Sequence, residues 1–173
     1  ISYEEMLEMA SLGAKVMQPV SVQASMIHNI PVHVRSTFSE KAGTKIVAEG
    51  DTDYKKVVTG IAYSKNDAKI TLVGVVDKPG VAADIFEPLG NNNINVDMVI
   101  QNTSSDGKKT DVTFTVKRED LNKTLNLIEK KNKDLNYIKV IHDDKVSKVS
   151  IIGAGMIANP GVTHKMFRSL ANE

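Results

Sequence analysis

Two short turns hold the residue types best suited to gripping a small ligand. The first lies in "ITLVGVVDKPGVAADIF", the second in "KVSIIGAGMIANPGVTHKMF". Each follows an apolar run and brings a Pro-Gly pair, Pro79–Gly80 and Pro160–Gly161, to the point where a helical pattern begins. Proline in the first helical turn presets φ and gives up no donor the helix needs. Glycine lets a ligand or a second backbone come close. The first N–H groups of such a helix have no partner within it and sit at the positive end of its dipole. That is a docking point for a carboxylate, with Asp77 and Asn159 as candidate caps. Asp or Asn followed by Pro-Gly is equally an ordinary helix start. Recurrence of the turn weighs toward binding.

The stretch "NNNINVDMVIQN" supplies complementary groups. Asn95 and Asp97 offer acceptors for an ammonium, with Gln101 further along. Donors for a carboxylate and acceptors for an ammonium together suit a free amino acid. "NNN" reads equally as a helix stop, because Asn tolerates left-handed backbone, and both readings can hold together.

Other chemistries find less support. "GAGMIA" (153–158) has the G-x-G-x-x-A spacing of a dinucleotide site, but Pro160 follows at once and the first turn has no G-x-G. His28, His33, His142 and His164 show no metal-ligand spacing. There is no Cys and no G-x-x-x-x-G-K-[ST] loop. No catalytic residue and no metal site is assigned to this chain.

These groups need elements to position them. Helices are expected at 3–12, with Ser2 as N-cap, and at 18–28, with Pro19 in the first turn. "IPVHVRSTF" reads as a strand with Val32 and Val34 on one face, and "SEKAGTKIVAEGDTDYKK" as a linker. Strands are expected at 57–64 and 68–75, joined by a turn at "SKND". A helix at 79–90, a strand at 95–101, the loop "TSSDGKK", a strand at 110–117, a helix at 119–134 and a strand at 137–142 follow. In that last helix Leu121, Leu125 and Ile128 face inward. The fold class is α+β, with the β-α-β-β-α-β order of a ferredoxin-like sandwich whose helices cover one sheet face.

After "DDKVS" the pattern restarts. Ile70 matches Val149, Gly74 matches Gly153, and Pro79, Gly80, Val81, Phe86 and Leu89 match Pro160, Gly161, Val162, Phe167 and Leu170. The second turn is two residues longer, Gly153 to Pro160 against Gly74 to Pro79. This is an internal repeat whose second copy is expected to stop after its first helix.

The chain has 173 residues, 41% apolar and 25% charged, with net charge +1. Nothing in that balance calls for nucleic acid or an anionic membrane, and the 5% aromatic content argues against base stacking. No apolar run reaches the roughly 18 residues of a membrane span. The start "ISYEEMLEMA" does not read as a signal peptide, and both ends are expected to be cut points. The absence of Cys suits a cytoplasmic location.

"ITLVGVVDKPGVAADIF", "NINVDMVIQN", "KTDVTFTV" and "KVSIIGAGMIANPGVTHKMF" resemble the regulatory region of aspartate kinase, which carries two ACT modules. "SYEEMLEMASLGAKVMQPVSVQASMIHNIPVHVRSTF" resembles the end of the amino-acid-kinase domain of that family, and "TGIAYSKNDAKITL" its junction. The resemblance implies a kinase-domain remnant at 1–47, a linker and strand at 48–66, a first ACT module at 67–143 and the start of a second at 144–173. It implies that Val57–Ser64 joins the sheet of the second module. It carries Asp77, Lys78, Pro79, Gly80, Val81, Ala82, Asn95, Val96, Asp97 and Gln101 over as effector contacts in the first module, and Val162 and Thr163 in the second. It implies ATP- and Mg²⁺-dependent phosphorylation of aspartate by the parent enzyme, with neither cofactor bound by this chain. Feedback inhibition by threonine, lysine or both is implied too, as is pairing of ACT modules between two chains or with a catalytic chain. A stand-alone amino-acid-binding ACT regulator is the alternative, for which residues 1–47 have no obvious use.

Overall fold

The computed structural model describes residues 1–52, 56–103 and 107–173. They form two compact units, one of Ile1–Ser64 with Val149–Glu173, the other of Lys65–Lys148.

The first unit opens with helix α1 (Tyr3–Ser11), held by a complete capping box. The Ser2 hydroxyl accepts from the Glu5 N–H, and the Glu5 carboxylate accepts from the Ser2 N–H, both at 3.1 Å. Helix α2 (Pro19–Ile27) starts at proline, as expected. The strand read from "IPVHVRSTF" is only three residues long, β1 (Val32–Val34), because its partner is short. That partner, β2 (Thr44–Ile46), lies in the stretch read as a linker. Ile46 pairs with Val32 and is buried with Tyr3, Met6 and Val22, which outweighs the polar composition around it. Residues 53–55 of that stretch lie outside the described residues.

Strand β3 (Gly60–Val76) is a single strand of 17 residues where two strands and a turn at 64–67 were expected. The turn-forming side chains are held by neighbours instead. Lys117 donates to the buried Asp67 carboxylate at 3.1 Å, and the Asn66 amide donates to Glu119 at 3.1 Å. Cross-strand partners thus remove the reason to turn. Helix α3 (Val81–Gly90), β4 (Val99–Thr103), β5 (Lys109–Lys117), helices α4 (Leu121–Lys130) and α5 (Asn132–Leu135), and β6 (Lys139–Ile152) follow. The sheet order is β4-β5-β3-β6, the ferredoxin-like arrangement expected. The helix expected at 119–134 is interrupted at Lys131, so its last turn is the separate α5 that buries Leu135. No break occurs at "DDKVS", where β6 runs on without interruption. Residues 104–106 of the expected loop "TSSDGKK" lie outside the described residues.

Apolar spacing explains the packing. Val81, Ile85 and Leu89, one turn apart on α3, are buried with Leu121 and Ile128 of α4 against Ile70, Leu72, Val112 and Phe114 of the sheet. Phe86 meets Phe114 edge-on, with ring centroids 5.3 Å apart. Each such side chain contributes about 1.5–3 kcal/mol on burial. The asparagine run ends α3 as expected, with Asn93 left-handed at φ 57°. Near its end β3 carries a bulge between Leu72 and Val75. Gly74 sits there at φ 68°, with its N–H donating to the Asp111 carboxylate at 2.8 Å, and a Cβ would strike Ile138 at 2.5 Å.

In the first unit the Thr59 N–H donates to the Ile152 carbonyl at 2.8 Å. Helix α6 (Val162–Ala171) closes the chain.

Candidate functional site

The two Pro-Gly turns adopt one backbone conformation. Gly80 is the N-cap of α3 at φ 89°, ψ −9°, and Gly161 is the N-cap of α6 at φ 93°, ψ −3°. Both are left-handed, so the sequence repeat is also a structural one. Three expectations change. Pro79 and Pro160 precede their helices instead of opening them, and Val81 and Val162 are the first helical residues. Asp77 and Asn159 do not cap: the Asp77 N–H donates to the Lys108 carbonyl at 3.1 Å, and the Asn159 amide donates to the Gly155 carbonyl at 2.8 Å. Finally, nothing in the described chain lies within 4 Å of a Cβ built on Gly80 or Gly161, so positive φ, not crowding within the chain, explains the glycine.

Asp77, Lys78, Pro79, Gly80 and Ala82 are exposed, while Val81 anchors the turn in the core. Lys78 pairs with Asp84 at 3.7 Å, both about half exposed, a weak contact. Val162 is half-buried and Thr163 exposed. Beneath α6 an open apolar pocket of about 540 Å³ is lined by Val149, Ile151, Pro160, Val162, Met166 and Leu170 among others.

Asn95, Val96 and Asp97 precede β4 instead of lying in it, because regular pairing with β5 starts only at Val99. Asp97 is nonetheless anchored, its N–H donating to the Thr115 carbonyl at 3.0 Å. Gln101 lies on β4, opposite Val112. The ladder then fixes where these groups sit. Thr115 is level with Lys69 on β3, whereas the Asp77 turn follows Val76. Seven residues at about 3.3 Å each put Asp97 more than roughly 20 Å along the sheet from the first turn. One chain therefore holds its carboxylate donors and its ammonium acceptor at opposite ends of the same sheet. The Asp97 carboxylate also has a cation already, the ammonium of Lys148, which the sequence reading did not single out.

A second cluster that the sequence reading passed over centres on Glu5. One carboxylate oxygen accepts from Thr59 Oγ at 2.5 Å and from the Ala154 N–H at 3.1 Å, and the other accepts from the Ser2 N–H. Burial pushes its pKa up, but these hydrogen bonds outweigh burial and hold it below the ordinary carboxylate value. The S-x-x-E of "SYEE" was the available signal. The same junction accounts for the G-x-G. A Cβ at Gly153 would meet the Val57 carbonyl oxygen at 2.4 Å, and one at Gly155 would meet Val57 Cα at 2.9 Å. These glycines let the turn lie against the 56–59 backbone. Among the described residues no group of three or more His, Cys, Asp or Glu side chains is placed to hold a metal.

Residues 70–131 match the model of the ACT domain. The chain is 43% identical over 174 residues to the aspartate kinase of Pseudomonas putida, with all of this chain and 42% of that protein covered. The structure of the regulatory subunit of aspartate kinase from Thermus thermophilus, in a ligand-free form, superposes with TM-score 0.62 at 35% identity, covering 68% of this chain and 76% of that one. The chain belongs to the aspartate kinase family. A crystal structure of aspartokinase alpha and beta subunits gives TM-score 0.60 at 44% identity, covering 66% of this chain and 74% of the other. The chain thus contains the regulatory ACT region of an aspartate kinase, and it spans about 42% of the length of the Pseudomonas putida relative. No helix among the described residues is long and apolar enough to cross a membrane.

Proposed function

We propose that this regulatory region binds threonine, lysine or both and thereby inhibits its parent enzyme, a cytoplasmic kinase that transfers the γ-phosphoryl group of ATP, with Mg²⁺, to the β-carboxylate of aspartate. The observation that carries the proposal is the pair of exposed turns, each ending in a left-handed glycine before a helix whose first N–H groups suit a carboxylate. ATP and Mg²⁺ belong to the parent enzyme's catalytic part.

The first site is completed by a second copy. β4 is an edge strand with Val99 and Ile100 exposed, as is Met98 just before it, a surface suited to strand pairing. An antiparallel pair about a two-fold centred on Gln101 mirrors each position on β4. Asp97 lies to one side of Gln101, so the partner's Asp97 falls to the other, toward the end of the sheet where the first turn lies. The turn of one chain then supplies the carboxylate donors and the partner's Asp97 the ammonium acceptor. The effector's ammonium displaces Lys148 or shares Asp97 with it. Such an effector binds the paired state better than the separated one, and that differential affinity shifts the population.

Isothermal titration with threonine, lysine and methionine tests this reading. Saturable heat is expected with threonine or lysine and weakened at least about tenfold by Asp97→Ala, the scale of one charge-assisted hydrogen bond. Absence of binding by all three amino acids, or an unchanged affinity in Asp97→Ala, contradicts it.

A further inference from the structure

The Glu5 carboxylate joins three stretches that are distant in sequence: the start of α1, the approach to β3 at Thr59, and the second turn at Ala154. We propose that Glu5 is a positioning residue that carries displacement of the second turn, Gly153–Gly161, into helix α1. The inference rests on the effector reading above only for what displaces the turn, and the linkage itself can be tested without an effector.

Both oxygens of the carboxylate are engaged, so the side chain has little freedom to swing. The turn is also internally bonded. The Met156 N–H donates to the Gly153 carbonyl, the Asn159 N–H to the Met156 carbonyl, and the Asn159 side-chain amide to the Gly155 carbonyl. A segment tied in this way moves as a body instead of absorbing a push at one end. Its far end is Gly161, the cap of α6, beside Val162 and Thr163.

Two routes then lead back to Glu5. One is the Ala154 N–H bond itself. The other is the contact of Gly153 and Gly155 with the 56–59 backbone, which carries Thr59, the other donor to the same oxygen. Among the described residues the first turn shows no such link. The N–H of Gly74, the counterpart of Gly153, donates to Asp111 within its own sheet. The two extra residues of the second turn form part of the 153–161 segment that reaches α1, which gives that insertion a purpose.

Hydrogen exchange in the full 173-residue chain, read at the amides of Met6 to Ser11, tests the linkage. Asn159→Ala loosens the turn without touching α1. In the wild-type background it is expected to change α1 exchange by at least about threefold, within the range of coupling between contacting groups. In the Glu5→Leu background, where both acceptor oxygens are lost, Asn159→Ala is expected to leave α1 exchange unchanged. Thr59→Val, which removes one donor only, gives an intermediate response and serves if Glu5→Leu fails to fold. The proposal is overturned if Asn159→Ala alters α1 equally with and without Glu5, or does not alter it at all in the wild type. In a second arm, whichever of threonine or lysine binds is added: α1 exchange is expected to respond in the wild type and not in Glu5→Leu, at an affinity within about twofold. An equal response in both overturns the proposal. If neither amino acid binds the wild type, the effector reading fails, while the mutant comparison still decides the linkage.

Discussion

Gly80 and Gly161 share a backbone state that an L-residue enters only at a cost of roughly 1–2 kcal/mol. Since a Cβ at either position has open space around it, that cost is the whole expected effect on the fold. Gly80→Ala is expected to lower unfolding stability by about that amount in urea titrations, and Gly80→Asn by less, because Asn tolerates the left-handed region. Equal losses for the two would show that crowding is at work. Glu5 makes a pH-dependent contribution. Its folded pKa is held below the ordinary value of 4.5, so the unfolded chain binds the proton more readily. The stabilisation is complete above pH 4.5 and is lost as pH falls through the lowered folded value. The Tm advantage of wild type over Glu5→Gln is therefore expected to be constant near neutrality and to shrink on acidification below pH 4.5. An advantage that grows on acidification would reverse the assignment. At this scale the sequence shows which residue types recur, and it showed the glycines. It does not show Glu5's remote partners, because Thr59 and Ala154 come to it only through tertiary contact.

Among the elements, the apolar periodicity of α3 and α4 was legible, since each buries one side. The continuity of β3 and β6 was not. "SKND" and "DDKVS" have turn composition, and only the ladder shows that cross-strand partners keep Asp67 within a strand. The separation of Asp97 from the first turn was equally hidden, because it depends on register and not on spacing along the chain. Leu72, fully buried on β3 against both helices, is the element-scale probe of the core. Leu72→Ala is expected to cost about 2–5 kcal/mol in chemical denaturation. A loss below 1 kcal/mol would mean the sandwich can collapse around the gap. β4 probes association instead. Val99→Lys together with Ile100→Lys would guard the edge with charge, as natural edge strands are guarded. The wild type is expected to sediment as a dimer and the double variant as a monomer at the same concentration with its thermal transition kept; pairing that survives in the variant would place the interface elsewhere.

For the whole molecule, the ACT match and the aspartate kinase relatives support the regulatory role, while the effector and the paired assembly are what is proposed above. The 173-residue chain is expected to form no aspartyl phosphate with ATP and Mg²⁺, and turnover above background would relocate catalytic groups into it. The central claim is that one effector site is built by two copies. Two variants tagged differently and co-expressed decide it most directly: Asp97→Ala, which lacks the acceptor, and Gly80→Val, which lacks a usable turn. In their mixed dimer, one site joins the intact turn of the first chain to the intact Asp97 of the second, and the other site carries both defects. Titration of the purified mixed dimer with the effector is expected to show one site per dimer at the wild-type affinity, although each variant alone binds poorly. If the mixed dimer binds no better than its parents, turn and Asp97 do not act across the interface, and the shared site is wrong.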